Sequence, residues 1–165
     1  MTTETTTSSL ALINAQFEMH TMLFKNVTLN IKNEDREKKM NNNTNHIAWI
    51  VGHMVSTRYM IANVLGAEDR EPFPEFFGQG QGIQNNVTYQ SLPDLIKDWD
   101  AISAIMFKKI NSITDAYLET ESPFPTPMGS TMKDFFAFIT HHEAYTIGQL
   151  GIYRRFLGYD AMKYN

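Results

Sequence analysis

Residues 135–156, FFAFITHHEAYTIGQLGIYRRF, decide the fold. Phe135, Ile139, His142, Thr146, Gln149, Tyr153 and Phe156 recur at alternating steps of four and three, the period of a core-facing seam in a helix bundle. Large apolar side chains stand at both ends of this seam, and a histidine, a hydroxyl and an amide stand between them. A buried polar group costs free energy unless it is partnered. Three of them on one inner face imply a site or a polar network.

Three further helices read outward from this one. The first starts after Ser8 or Ser9 and carries Leu10, Ile13, Phe17, His20, Phe24, Val27 and Ile31, with His20 as its sole polar member. The second, over about 45–65, carries Ile47, Ile50, Met54, Ile61 and Val64. His46 and His53, seven apart, lie on a face bordering that side. Residues 41–44 are the expected N-cap region and Gly66 the expected terminator. Ser91-Leu92-Pro93-Asp94, a capping box with proline in the first turn, opens the third helix. Its apolar face runs Leu92, Leu95, Trp99, Ile102, Met106, Ile113 and Tyr117. Thr131-Met132-Lys133-Asp134 opens the fourth, which ends near Leu157-Gly158.

Between the second and third helices, residues 67–90 hold Pro72, Pro74, Gly78, Gly80 and Gly82, a long crossing loop with a short turn around 75–77. Such a crossover lets the third helix run parallel to the second. Residues 119–130, with Pro123, Pro125 and Pro127, form the last connector. The expected fold is an all-α four-helix bundle, up-down-down-up. It forms one domain over 9–165, preceded by a flexible terminus over 1–8.

Composition narrows the function. Hydrophobic residues make up 42% and charged residues 19% of 165, ordinary for a globular domain. The net charge of −4 makes neither nucleic acid nor an anionic membrane an expected partner. No run reaches membrane-spanning length, residues 1–9 show no basic-then-apolar leader, and the expected compartment is the cytoplasm. With no cysteine, disulfides, thiolate ligands and cysteine nucleophiles are excluded together, so a metal would need His, Asp or Glu. Ser56, Ser103, Ser112 and Ser130 have no evident His/Asp partners. Gly78-Gln79-Gly80-Gln81-Gly82 lacks the lysine and helix start of a phosphate loop.

His20, His53 and His142 come from different helices. At about 1.5 Å per residue they fall within roughly one helical turn of a common level. Imidazoles converging inside a bundle build metal sites, and neutral histidine suits Zn, Ni or Fe. The competing reading is a set of satisfied core histidines. His46 reads as a capping or surface group. His141 turns about 100° from His142, outward or toward an interface. Glu143 reads as one half of an outward salt bridge.

Asn45-His46-Ile47-Ala48-Trp49-Ile50-Val51-Gly52-His53-Met54 and His142-Glu143-Ala144-Tyr145-Thr146-Ile147-Gly148-Gln149-Leu150 together resemble the DinB superfamily, including its YfiT-like and bacillithiol-transferase-like branches. Arg154-Arg155-Phe156-Leu157-Gly158 and Pro127-Met128-Gly129 extend the likeness, which spans about 9–158. The resemblance implies a homodimer and a divalent metal held by one histidine of the second helix and an H-x-x-x-H pair of the fourth. It also implies metal-dependent thiol transfer, isomerisation or hydrolysis, the metal polarising a low-molecular-weight thiol or a water. Those positions map to His53 and His142, but the third is Thr146, a poor ligand for a transition metal. His20 is the candidate replacement. Otherwise water or substrate completes a weak site, or no metal binds. Tyr145 and Gln149 would orient substrate or water. Two expectations follow: a metal-dependent enzyme with a degenerate centre, or a non-catalytic bundle that binds a small molecule or carries only a polar network.

Overall fold

The computed structural model describes residues 8–78 and 80–165. The main helices are α1 (Ser9–Thr28), α2 (Ile47–Val64), α4 (Leu92–Ile110) and α6 (Met132–Phe156). Shorter elements join them: α3 (Pro74–Phe77) in the crossover, then α5 (Asp115–Leu118), β1 (Glu121–Thr126) and β2 (Gly129–Thr131) before α6. The flexible terminus expected over 1–8 lies outside the described residues except for Ser8, whose side chain caps α1 by accepting from Ala11 N–H.

Local chemistry sets the helix ends. Thr131 and Asp134 form the complete capping box expected for α6, and Ser91 caps α4. Gly66, at φ +77°, follows α2 as expected. Its N–H reaches Asn63 O while Ala67 N–H reaches Ala62 O, which satisfies carbonyls the helix end would orphan. The start of α2 differs from expectation. The cap is His46, the capping alternative of its reading, and not residues 41–44: His46 Nδ1 accepts from Trp49 N–H. His46 is buried and no surface group. The third seam also breaks earlier than its apolar pattern suggests. α4 stops at Ile110, and Tyr117 belongs to α5.

Contacts between termini give the directions. Val27 O and Leu29 O at the end of α1 accept from Arg154 near the end of α6, so these helices run parallel. Asn14 on α1 meets Asn111 after α4, an antiparallel pairing. Thr44, before α2, meets Tyr153 late in α6, also antiparallel. The path is up-down-down-up. α2 packs mainly on α4 and α1 on α6. The chain is the expected all-α four-helix bundle with a crossover.

One element was not expected. Residues 121–131 form an antiparallel hairpin, with Glu121 opposite Thr131 and Thr126 opposite Gly129. A two-stranded hairpin has only edge strands, where proline is tolerated, so Pro123 and Pro125 do not forbid it. It lies on α6, with Phe124 stacked on Phe135 at 6.3 Å. The crossover docks through α3. Phe77 packs against Gly52 on α2 so closely that a Cβ there would overlap the ring. Among the described residues no helix is long and apolar enough to cross a membrane.

Candidate functional site

Two polar clusters share one level of the bundle. They are separated by the 100° between His142 and Glu143 on α6. The seam read from the sequence is the edge of the buried face. Its centre runs Phe136, Thr140, Glu143, Ile147, Leu150 and Arg154, all buried. Glu143 is 1% exposed and Arg58, on α2, is 0% exposed. Glu143 is therefore not in an outward salt bridge.

Arg58 donates from Nε to Glu143 Oε1 at 2.8 Å and from its terminal nitrogens to Glu143 Oε2 at 3.2 Å, Thr21 Oγ1 at 2.8 Å and Ser103 Oγ at 2.6 Å. Its guanidinium lies 3.5 Å from the Trp99 ring centroid. His20 donates from Nδ1 to Glu143 Oε2 at 3.2 Å. This network takes one or more groups from each main helix. Burial pushes the Glu143 carboxyl up, but the charge of Arg58 and hydrogen bonds from His20 and Arg58 outweigh it and hold the carboxyl below its usual range. His20 thus belongs to this ion pair and is not brought to the other histidines. It approaches from α1, on the Glu143 side of α6.

The second cluster is open. His53 Nε2 and His142 Nε2 stand 3.2 Å apart, and Trp49 stacks on His53 at 4.9 Å. Burial, with the neighbouring His142 second, lowers the His53 pKa to about 4. Burial also lowers that of His142, partly opposed by Glu143. Both rings are neutral near pH 7 and share one N–H between them. His142 Nδ1 is buried without a partner among the described residues.

The pair forms the wall between two cavities. The larger, about 610 Å³, is walled by Phe77, Phe124, Phe135 and Phe138, with Met60 and Glu71 also on its lining. That is ample for a small organic ligand. The smaller, about 250 Å³, is lined by Asn45, Trp49, Tyr145, Thr146 and Gln149 besides the histidines. Tyr145 and Gln149 therefore face the space behind the pair.

The donor set does not complete a metal site. Among the described residues no three His, Asp or Glu side chains cluster to hold an ion. Thr146 spends its hydroxyl on His142 O at 2.8 Å, within its own helix. A ligating histidine ordinarily donates its second ring N–H to an acceptor, and His142 Nδ1 has none.

Arg58 was not singled out from the sequence, although a signal was present. It follows Ile47, Ile50 and Met54 and precedes Ile61 at helical spacing, a charge within an apolar stripe.

The sequence profile described as the DinB superfamily matches residues 16–150. The chain belongs to the DinB superfamily. No curated protein matches it.

Proposed function

We infer that this superfamily member is a small-molecule-binding bundle, holding an apolar-bodied ligand in the larger cavity against two neutral imidazoles. One observation carries the reading: His53 and His142 lie between two cavities, and among the described residues no third His, Asp or Glu clusters with them. A ligand that parts the two rings gains one N–H and one lone pair at their Nε2 atoms. Four phenylalanine rings supply the apolar contact.

Metal titration tests this. Protein stripped with chelator and dialysed is expected to take up no stoichiometric Zn2+ or Ni2+ by calorimetry. Thr146→His, which restores the third position of the superfamily pattern, is expected to create that affinity. Stoichiometric uptake by the parent, abolished in His53→Ala, overturns the reading.

A second reading is favoured by the 3.2 Å separation of the two Nε2 atoms. Two nitrogens about 2.0–2.1 Å from one tetrahedral ion stand roughly 3.3 Å apart. On this reading His53 and His142 hold a divalent ion weakly, water or a substrate thiol completes the site, and the ion's chemistry is polarisation of that thiol or water.

The homodimer belongs to the proposal as well. Leu12, Met19 and Met22 on α1 and Ile152 and Phe156 on α6 are large apolar side chains left exposed on two adjacent helices. Sedimentation of the parent beside Met19→Glu/Ile152→Glu is expected to show a dimer turned monomer.

A further inference from the structure

The larger cavity has one charged wall. Among the described residues that line it, Glu71 is the one carboxylate and none is a lysine or arginine. Besides the two histidines, the other side chains there are phenylalanine, methionine, isoleucine, proline, hydroxyl and amide groups. Glu71 Oε1 is buried and finds no hydrogen-bond partner among the described residues. A carboxylate oxygen accepts hydrogen bonds only, and one withdrawn from water without a donor is costly. Arg70, next in the chain, is exposed and does not line the cavity.

An acceptor-only group on the lining of an aromatic-walled cavity selects a donor that carries positive charge. Aromatic faces favour the same species, since a cation is attracted to the ring quadrupole. An organic anion would meet an uncompensated carboxylate, and a neutral apolar molecule would leave it unpaired. We propose that the larger cavity takes an organic ammonium ion, its charged nitrogen at Glu71 and its apolar body among Phe77, Phe124, Phe135 and Phe138, directed toward the histidine pair. The proposal rests on the cavity being a ligand site and adds the charge of the ligand.

Three probes of one shape separate the charge from the cavity: phenethylamine, 2-phenylethanol and phenylacetate. Each is titrated into the full chain and followed by shifts of backbone amide resonances in α2, α3 and β1. Phenethylamine is expected to bind at least about tenfold more tightly than the alcohol, as a charge-assisted hydrogen bond allows, and phenylacetate most weakly. Glu71→Gln keeps the side-chain shape on a loop. It is expected to bring the amine down to the alcohol while leaving the alcohol unchanged. Equal binding of amine and alcohol, or an undiminished preference in Glu71→Gln, overturns the ammonium inference and leaves the cavity reading standing. Failure of all three probes to bind the folded parent overturns both.

Discussion

Arg58–Glu143 and His53–His142 occupy one level of one bundle and differ in closure. In the first, one fully buried guanidinium on α2 is distributed over a carboxylate, two hydroxyls and an indole face drawn from the other three main helices. In the second, two half-buried rings share a single hydrogen bond, and each also faces open space. Neighbouring positions on α6, 142 and 143, supply both. A satisfied polar cluster in a core fixes how helices assemble, and an unsatisfied one beside a cavity leaves bonding capacity for something else. The contrast fits an architectural role for the first and the proposed binding role for the second.

The largest expected effect breaks the closed cluster. Arg58→Met leaves the Glu143 carboxylate buried without its partner and should cost about 3–5 kcal/mol in urea unfolding, as removal of one member of a buried ion pair does. The double variant Arg58→Met/Glu143→Leu should recover most of that loss, because no charge is then stranded. His53→Ala should cost far less, since its ring borders a cavity. A His53→Ala penalty equal to that of Arg58→Met would erase the distinction between the clusters.

Acidification sharpens the comparison from the other side. The folded pKa of His53 and of His46 is lowered to about 4 from 6.5 by burial, so below 6.5 the unfolded chain binds protons the native state refuses. Their contribution is complete above pH 6.5 and is lost as pH falls toward 4. The loss is on the order of 1.5 kcal/mol per histidine between pH 6.5 and 5. His53→Gln should flatten the slope of denaturation curves across the window, leaving the contributions of His46 and His142. An unchanged slope would show that the ring is charged, or solvated, in the native state.

Which parts of this were legible in the sequence follows from the range of the forces involved. Caps are local, so Ser8, Ser91 and Thr131–Asp134 could be read directly. The four seams are periodic over many turns, and the crossover announced itself through its glycines and prolines. Hence the topology emerged from pattern alone. The hairpin did not, because its register depends on packing Phe124 against Phe135 on another element, and its prolines argued for a loop. In the site, the meeting of His53 and His142 was legible because one borders an apolar seam and the other interrupts one. His20 was misplaced because level along a helix is fixed by rise, but azimuth depends on which neighbour the helix faces. Glu143 was turned outward for the same reason: the seam drawn through His142 was the edge of the buried face and not its centre. Arg58 interrupts an apolar stripe at helical spacing, and an in-register charge of that kind demands a buried partner.

A smaller effect is expected where the crossover meets the cavity. Gly52→Ala puts a methyl group into the Phe77 ring, and Phe77 forms part of the cavity wall. The overlap should cost about 1–3 kcal/mol, the usual range for overpacking, and should move α3. Phenylethanol affinity should change with it, whereas Arg58→Met/Glu143→Leu should leave that affinity in place. A Gly52→Ala protein of parental stability and affinity would mean that Phe77 yields freely and does not shape the cavity.

The smallest effect concerns the residue that separates this chain from the superfamily's histidine pattern. Thr146 is buried, and its hydroxyl donates to His142 O, a carbonyl that α6 already holds in place. Back-bonding of that kind adds little to a helix, and valine fills nearly the same volume. Thr146→Val loses one hydrogen bond and gains a buried methyl group, so stability should stay within about 1 kcal/mol of the parent. Binding in the larger cavity should also be unchanged, since Thr146 lines only the smaller one. Loss of binding in Thr146→Val would show the hydroxyl leaving its carbonyl for the ligand. The open cluster would then be three groups wide, with the threonine as an active member of the site.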